Sequence, residues 1–278
     1  MGNKKPLILI SNDDGYNAKG VRSLIETLRD LADLLVCSPE SPRSGFSAAF
    51  SATSELHLKL REESEGVEIW SCDGTPVDCV KMALSELCGC RGRCLADNNP
   101  KGEWMSKLSG GRKPDMVAGG INHGDNSTVN SHYSGTMGLV MEGCMKFIPS
   151  VAFSLCDHDP NANFTPLRPL IREISRRILA EGLPKGVCLN VNFPLIDGPY
   201  KGVKICRMAV GSWGREVVRC VHPRGYEYYW LVGEYTNEEP EAEDTDNWAL
   251  THGYVAITPT TMDLTAYEMV EKMKDWGL

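Results

Sequence analysis

A chain of 278 residues, 42% hydrophobic and 24% charged, is long enough for one large folded domain and has the composition of neither a fibre nor a disordered chain. Its formal net charge of −8 excludes a general surface for duplex DNA or RNA, because displacing the counterions of a duplex takes a basic stripe. An acidic chain that handled phosphate would have to neutralise it locally, and a divalent cation is the simplest means.

Residues 6–11 predict a fully buried strand. The loop after it leads into Val21, Leu24, Ile25, Leu28 and Leu31, which repeat at helical spacing, and residues 34–37 predict a second buried strand. Strand, loop, helix, strand is the unit of a parallel sheet with crossover helices. The unit recurs. Residues 67–70 precede an apolar helical run over 77–87. Residues 116–118 precede a helix over about 134–145, with Met137, Val140, Met141 and Cys144 on one side. Residues 151–153 precede a helix over about 167–179, and 187–191 predict a further strand. Beyond residue 200, 203–208 and 226–232 predict strands with no helix between them, an antiparallel hairpin or extension. The acidic stretch 234–246 predicts a solvated loop, 254–257 a last strand, and the final dozen residues a helix.

These elements describe a single α/β domain over residues 1–278, with a core of about 6–195 and an extension of about 200–278. A Gly-, Lys- and Arg-rich stretch of about 88–113 reads as a surface insertion. Its Cys88, Cys90 and Cys94 lack paired C-x-x-C spacing and a nearby His, so zinc is not expected there. With no leader and no apolar run of about eighteen residues, the expected location is the cytoplasm, with no membrane contact. In that reducing setting the eleven cysteines are expected to be mostly buried thiols.

In parallel sheets ligands bind beyond the carboxyl ends of the strands, so the loops after each strand are read together. After the first stands Ser11-Asn-Asp-Asp-Gly15. Two adjacent carboxylates at a buried strand end repel each other and lose hydration, and a hard cation relieves both costs. Taken alone, the pair is more simply read as one Asp capping the next helix and one facing solvent. After the second strand, the Ser, Arg and Gly of 38–47 offer hydroxyls, main-chain donors and positive charge. After the strand at Met116, Asn122, His123, Asp125 and Asn126 crowd oxygen-bearing side chains among glycines. Ser134-Gly135-Thr136 then opens a helix, whose first turn is a natural anion seat and whose serine is an ordinary cap. Oxygen donors on three loops suit Mg²⁺, Mn²⁺ or Ca²⁺ better than Zn²⁺.

Ordered motifs carry a family resemblance. Ile8-Leu-Ile-Ser-Asn-Asp-Asp-Gly15, Pro42-Arg-Ser-Gly-Phe-Ser47, Gly74-Thr-Pro-Val-Asp-Cys79, Gly120-Ile-Asn-His-Gly124 with Asn126, Tyr133-Ser-Gly-Thr136 and Gly253-Tyr-Val-Ala-Ile-Thr-Pro259 resemble, in order, those of the SurE (survival protein E) family of metal-dependent 5′-nucleotidases. The resemblance implies a Rossmann-like core and one divalent cation per subunit on Asp13, Asp14, Ser44 and Asn122. It also implies a nucleoside monophosphate substrate, with 3′-nucleotides or short polyphosphate in some members, and a homodimer or homotetramer assembled through C-terminal segments. One departure stands out: Ser127-Thr-Val-Asn130 replaces the Gly and acidic residue usual after the position of Asn126.

The expected chemistry is attack on phosphorus by a water that the cation activates, with Asp13 and Asp14 as the catalytic pair. Asn126, Ser134, Gly135 and Thr136 are expected to hold phosphate oxygens. Of the six histidines, His123 and His132 flank the site; loop packing is the simpler role for both, although the imidazole of His123 suits a substrate or general-acid role. Two rivals remain: a phosphatase that forms an aspartyl-phosphate, whose two Asp stand one residue apart rather than adjacent, and a non-catalytic nucleotide-binding scaffold. No G-x-G-x-x-G follows the first strand, which argues against a dinucleotide-binding dehydrogenase.

Overall fold

Strand β1 (Leu7–Ser11) is buried at all five positions, the pattern of a strand covered by helices on both faces. The structure, a computed structural model, describes residues 5–89 and 106–277. After β1 the core continues through α1 (Lys19–Leu28), β2 (Asp33–Pro39), β3 (Leu58–Ser64), β4 (Val67–Cys72), α2 (Pro76–Met82), β5 (Met116–His123), α3 (Asn130–Tyr133), α4 (Gly135–Met145), β6 (Ser150–Leu155), α5 (Arg168–Glu181) and β7 (Val187–Phe193). The extension adds β8 (Val203–Ile205), β9 (Gly211–Gly214), β10 (Val217–Val221), β11 (Glu227–Leu231), β12 (Glu234–Asn237), α6 (Asp246–Thr251), β13 (Val255–Thr261) and α7 (Tyr267–Met273).

One nine-stranded sheet runs in the order β3-β4-β2-β1-β5-β6-β7-β13-β8. The strands from β4 to β7 in that order are parallel. Edge strand β3 is antiparallel to β4, and β13 is antiparallel to β7. Because β1 has β2 on one side and β5 on the other, the chain order reverses there, and the loops after β1 and β5 frame a crevice. Alternate side chains of β1 serve opposite faces. Ile8 and Ile10 join Val21 and Leu24 of α1 and Ile171 and Ile174 of α5, whereas Leu7 and Leu9 join Val80 of α2 and Met137 and Val140 of α4. Each such side chain, fully buried, stabilises the fold by about 1.5–3 kcal/mol. The expected α/β core with crossover helices and an antiparallel extension is the one that forms.

Two local details hold the helices in place. A Cβ on Gly20 would lie 1.9 Å from the Ile121 carbonyl oxygen, so α1 reaches β5 only because residue 20 has no side chain. At α2 the Thr75 hydroxyl accepts from the Asp78 N–H and Asp78 from the Thr75 N–H, a reciprocal capping box with Pro76 at the first turn.

Several expectations need correction. The helix read over 77–87 is α2 followed by a wider π-type turn, Ala83–Leu87. Strand β3 was not legible because most of it is exposed and Lys59, Arg61, Glu62 and Glu63 dilute its apolar pattern. The strand expected over 203–208 is only β8 plus an isolated bridge at Arg207. The solvated loop expected over 234–246 begins as strand β12, paired with β9, and ends in buried Thr245 and Asp246. Asp246 is drawn inside because its carboxylate accepts from the Thr128, Ala209 and Asn247 N–H groups. At the described ends of the 88–113 stretch, Gly89, Lys107, Gly110, Gly111 and Lys113 are exposed, while Cys88, Ser106 and Ser109 are buried and the Ser109 hydroxyl donates to the Leu87 carbonyl at 2.5 Å. Cys90 and Cys94 lie outside the described residues. Of the nine described cysteines, only Cys156 and Cys220 are not buried. Among the described residues, no helix is long and apolar enough to cross a membrane.

Candidate active site

Asp13 follows β1 directly and is only 3% exposed. The Thr136 hydroxyl donates to its Oδ1 at 2.5 Å. A Cβ on Gly135 would sit 2.8 Å from the Cβ of Asp13, so glycine is what lets the start of α4 close over the carboxylate. Burial, with a smaller push from the Asp14 charge and a pull back from the Thr136 bonds, raises the Asp13 carboxyl to about 6. Burial also raises Asp14, against a main-chain N–H bond from His123. Among the described residues, neither the buried Asp14 Oδ2 nor the buried Asn12 Oδ1 has a hydrogen-bond partner. A buried acid beside a half-buried one, with acceptor oxygens left over, is a site that positive charge would stabilise.

The remaining donors reach this point from two loops. The Arg43 N–H donates to the Asp13 carbonyl at 2.7 Å, which ties the loop carrying Ser44 to the end of β1. On the other side β5 carries a bulge against β6 between Gly120 and Asn122, a device that re-aims side chains at a strand end. The Asn122 amide donates to the Gly124 carbonyl at 2.8 Å, leaving its acceptor oxygen uncommitted. Asn126 is held at three points: its amide donates to Ser154 Oγ at 2.9 Å, its N–H to Asn192 Oδ1 at 2.8 Å, and its carbonyl accepts from Asn190 at 2.7 Å.

These groups open on one cavity of about 700 Å³, within the usual range for a small-molecule site. Of the expected site residues, Asp13, Ser44, Asn122, Asn126 and Ser134 line it. Asp14, Gly135 and Thr136 do not: Gly135 and Thr136 pack on Asp13, and the Thr136 hydroxyl is committed to it. The Ser134 oxygen caps α4 by accepting from the Met137 N–H at 3.0 Å. His123 lines the cavity edge-on to Phe164, and burial holds its imidazole below the ordinary value, so it is neutral at pH 7. His132 does not line it.

Sequence reasoning missed part of the wall. His158 carried no spacing signal, yet it packs against Gly124 and faces the cavity. Trp213, Glu216, Leu231, Val232 and Gly233 come from the extension, which the sequence placed apart from the site. Only the isolated Trp213 in a Gly-flanked strand offered a cue. Among the described residues the lining holds three carboxylates, Asp13, Asp125 and Glu216, and no Lys or Arg. Among the described residues no group of three or more His, Cys, Asp or Glu side chains is placed to hold a metal, so a cation here would rest on two carboxylates completed by neutral oxygens such as those of Ser44 and Asn122.

Comparison with known proteins gives this architecture a family. A family model described as "Survival protein SurE" matches residues 8–98 and 102–215, taking in Asp13, Asp14, Ser44 and Asn122. Two proteins called 5′-nucleotidase SurE align over nearly their whole length. That of Phocaeicola vulgatus is 50% identical over 100% of this chain and 99% of its own, and that of Bacteroides thetaiotaomicron is 48% identical over 99% and 98%. The crystal structure of the SurE protein from Aquifex aeolicus superposes with a TM-score of 0.77 at 31% identity, covering 98% of this chain and all of that one. With motifs, sheet order and full-length relatives in agreement, the chain belongs to the SurE family.

Proposed function

We propose that this chain is a 5′-nucleotidase: it hydrolyses nucleoside 5′-monophosphates to nucleoside and inorganic phosphate, using one divalent cation held by Asp13, Asp14, Ser44 and Asn122. One observation carries the cation. A phosphate monoester is dianionic near neutral pH, yet among the described residues the cavity offers it three carboxylates and neither Lys nor Arg. A bound cation would supply the positive charge that the described lining lacks, and buried Asp13 beside the uncommitted Asp14 oxygen suits an oxygen-loving ion such as Mg²⁺, Mn²⁺ or Ca²⁺. When bound, such a cation neutralises charge on phosphate and lowers the pKa of a coordinated water.

The chain's own groups supply the rest. Thr136 and the start of α4 fix the Asp13 carboxylate, so it does not have to reorganise during turnover. Asn126, anchored through Ser154, Asn190 and Asn192, presents a rigid polar edge to the phosphate, and Ser134 lies on the same wall. We assign phosphate binding to these two side chains, and to Gly135 and Thr136 the task of holding Asp13. The exposed apolar side chains of β10 and β11 supply the surface for a homodimer or homotetramer.

The test is phosphate release from AMP, 3′-AMP and tripolyphosphate, each after EDTA treatment and again with Mg²⁺, Mn²⁺ or Ca²⁺ added. Turnover of the 5′-monophosphate that disappears with EDTA and returns with a cation is the expected result. Release unaffected by chelation would overturn the cation assignment, and a phosphoenzyme trapped by acid quench would replace direct attack by water with the aspartyl-phosphate route. Nucleotide binding without release under any condition would leave a scaffold.

A further inference from the structure

The extension's contribution to the cavity differs chemically from the core's. Trp213, half-buried, faces the cavity beside Leu231 and Val232, which are 85% and 49% exposed. The indole is fixed. Its Nε1–H donates to Asn130 Oδ1 at 2.9 Å, and the Asn130 amide in turn donates to Asp125, which also accepts from the Ser127 hydroxyl at 2.6 Å. Tyr235 packs edge-on against the indole, with ring centroids 6.0 Å apart. Main chain at Gly233 lies so close that a Cβ there would come within 2.7 Å of the indole's Cε3. Three separate restraints on one partly exposed ring are more than core packing needs.

Among the described residues no cation stands on this wall, and its charged member is the carboxylate of Glu216, so a phosphate would be repelled. A flat, uncharged aromatic group fits it. The other exposed aromatic on the cavity, Tyr133, is 59% exposed and its hydroxyl has no hydrogen-bond partner among the described residues, so nothing fixes that ring.

We propose that Trp213 is the platform on which the nucleobase stacks, and that Asn130 is the positioning residue that holds the indole for it. The inference rests on the nucleotidase reading, since it supplies the base end of the same substrate. Two of the residues that pin the platform, Ser127 and Asn130, belong to the run after Asn126 where this chain departs from the family pattern. The wild-type surroundings of that ring are therefore built by this chain's own loop.

Base–aromatic stacking sets the expected size of the effect. In Trp213→Ala the ratio of kcat/KM for AMP to kcat/KM for ribose 5-phosphate, which has the same sugar and phosphate and no base, falls about 10- to 100-fold, chiefly through KM for AMP. Trp213→Phe restores most of that ratio. Asn130→Ala lowers it by a smaller factor in the same direction. An unchanged ratio, or a loss that follows Tyr133→Ala instead, overturns the proposal. A readout free of turnover separates this from failure of the nucleotidase reading. Adenosine should quench tryptophan fluorescence in the wild-type protein, and the quench should vanish in Trp213→Phe even if no ester is hydrolysed. Absence of quenching, or quenching that survives in Trp213→Phe, sinks the platform whatever the kinetics show.

Discussion

The two walls of the cavity are built in opposite ways. On the core side, Asp13 sits at the end of a strand buried on both faces and its neighbours are fixed by a hydrogen-bonded lattice drawn from β5, β6, β7 and α4. On the extension side, the ribbon β9-β10-β11-β12 pairs only with itself, and Val217, Val221, Tyr229 and Trp230 are each more than half exposed. One wall holds charge in a place where charge is costly, and needs rigidity to keep it there. The other offers exposed apolar surface and is tied to the core at few points, chiefly Asp246 and the Trp213–Asn130 bond. On the proposed assignments, chemistry falls to the buried region and recognition to the exposed one.

The strongest way to break this comparison is to remove charge from the core wall. Asp14→Asn should lower phosphate release from AMP by at least about 10³-fold, the scale of a lost electrostatic centre, while leaving the circular dichroism spectrum unchanged. Activity within a few-fold of wild type would show that the buried pair is not the reactive centre. Next in size is the tie between the walls. Asp246→Ala leaves the N–H groups of Thr128, Ala209 and Asn247 without their acceptor, at a cost of about 3 kcal/mol in urea unfolding. It also frees Thr128, whose φ of +54° is unusual for a β-branched residue, so substrate affinity should fall as well. A loss in Asp246→Ala of less than about 1 kcal/mol would mean that the β9–β12 ribbon is held elsewhere.

The same contrast explains what the sequence made legible. Buried parallel strands are short continuous apolar runs, so β1, β2, β6 and β7 could be read at once, and the loop after each followed from the architecture. The oxygen donors Ser44, Asn122 and Asn126 could be named because they lie in those loops or matched a family motif. The helix-start residues were half legible: Ser134 caps as its chemistry predicts, but that the Thr136 hydroxyl would turn inward to Asp13 depends on Gly135, a tertiary fact. The extension was mostly illegible. Strand β12 and the Asp246 anchor hid inside an acidic run, because three main-chain N–H groups that make a carboxylate worth burying come from positions 128, 209 and 247. Trp213 and His158 reach the cavity by the same kind of long-range placement.

A third variant sharpens the comparison by turning stability against function. The folded protein holds the Asp13 proton more tightly than the unfolded chain, with a pKa near 6 against 3.8. The resulting destabilisation is absent below about pH 4, grows as pH rises through the window between those values, and is fully present above about pH 6. In the metal-free protein, Asp13→Asn should therefore raise stability by about 3 kcal/mol at pH 7.5 and by about half that at pH 5, while abolishing turnover. Equal unfolding midpoints for variant and wild type at pH 7.5 would show that burial does not strain this carboxylate.

The smallest effect belongs to the ribbon. Val221 is 66% exposed and pairs across the ribbon with Glu227, so Val221→Ser removes apolar surface that the chain itself does not bury. Unfolding of the dilute protein should shift by less than about 0.5 kcal/mol, as expected for an exposed site. If β10 and β11 form the association surface, the same substitution should lower the mass measured by light scattering at high protein concentration, because only there does Val221 lose water. A destabilisation of about 1.5 kcal/mol or more in the dilute protein would instead mean that the ribbon already packs on its own chain, and the two walls would no longer differ in kind.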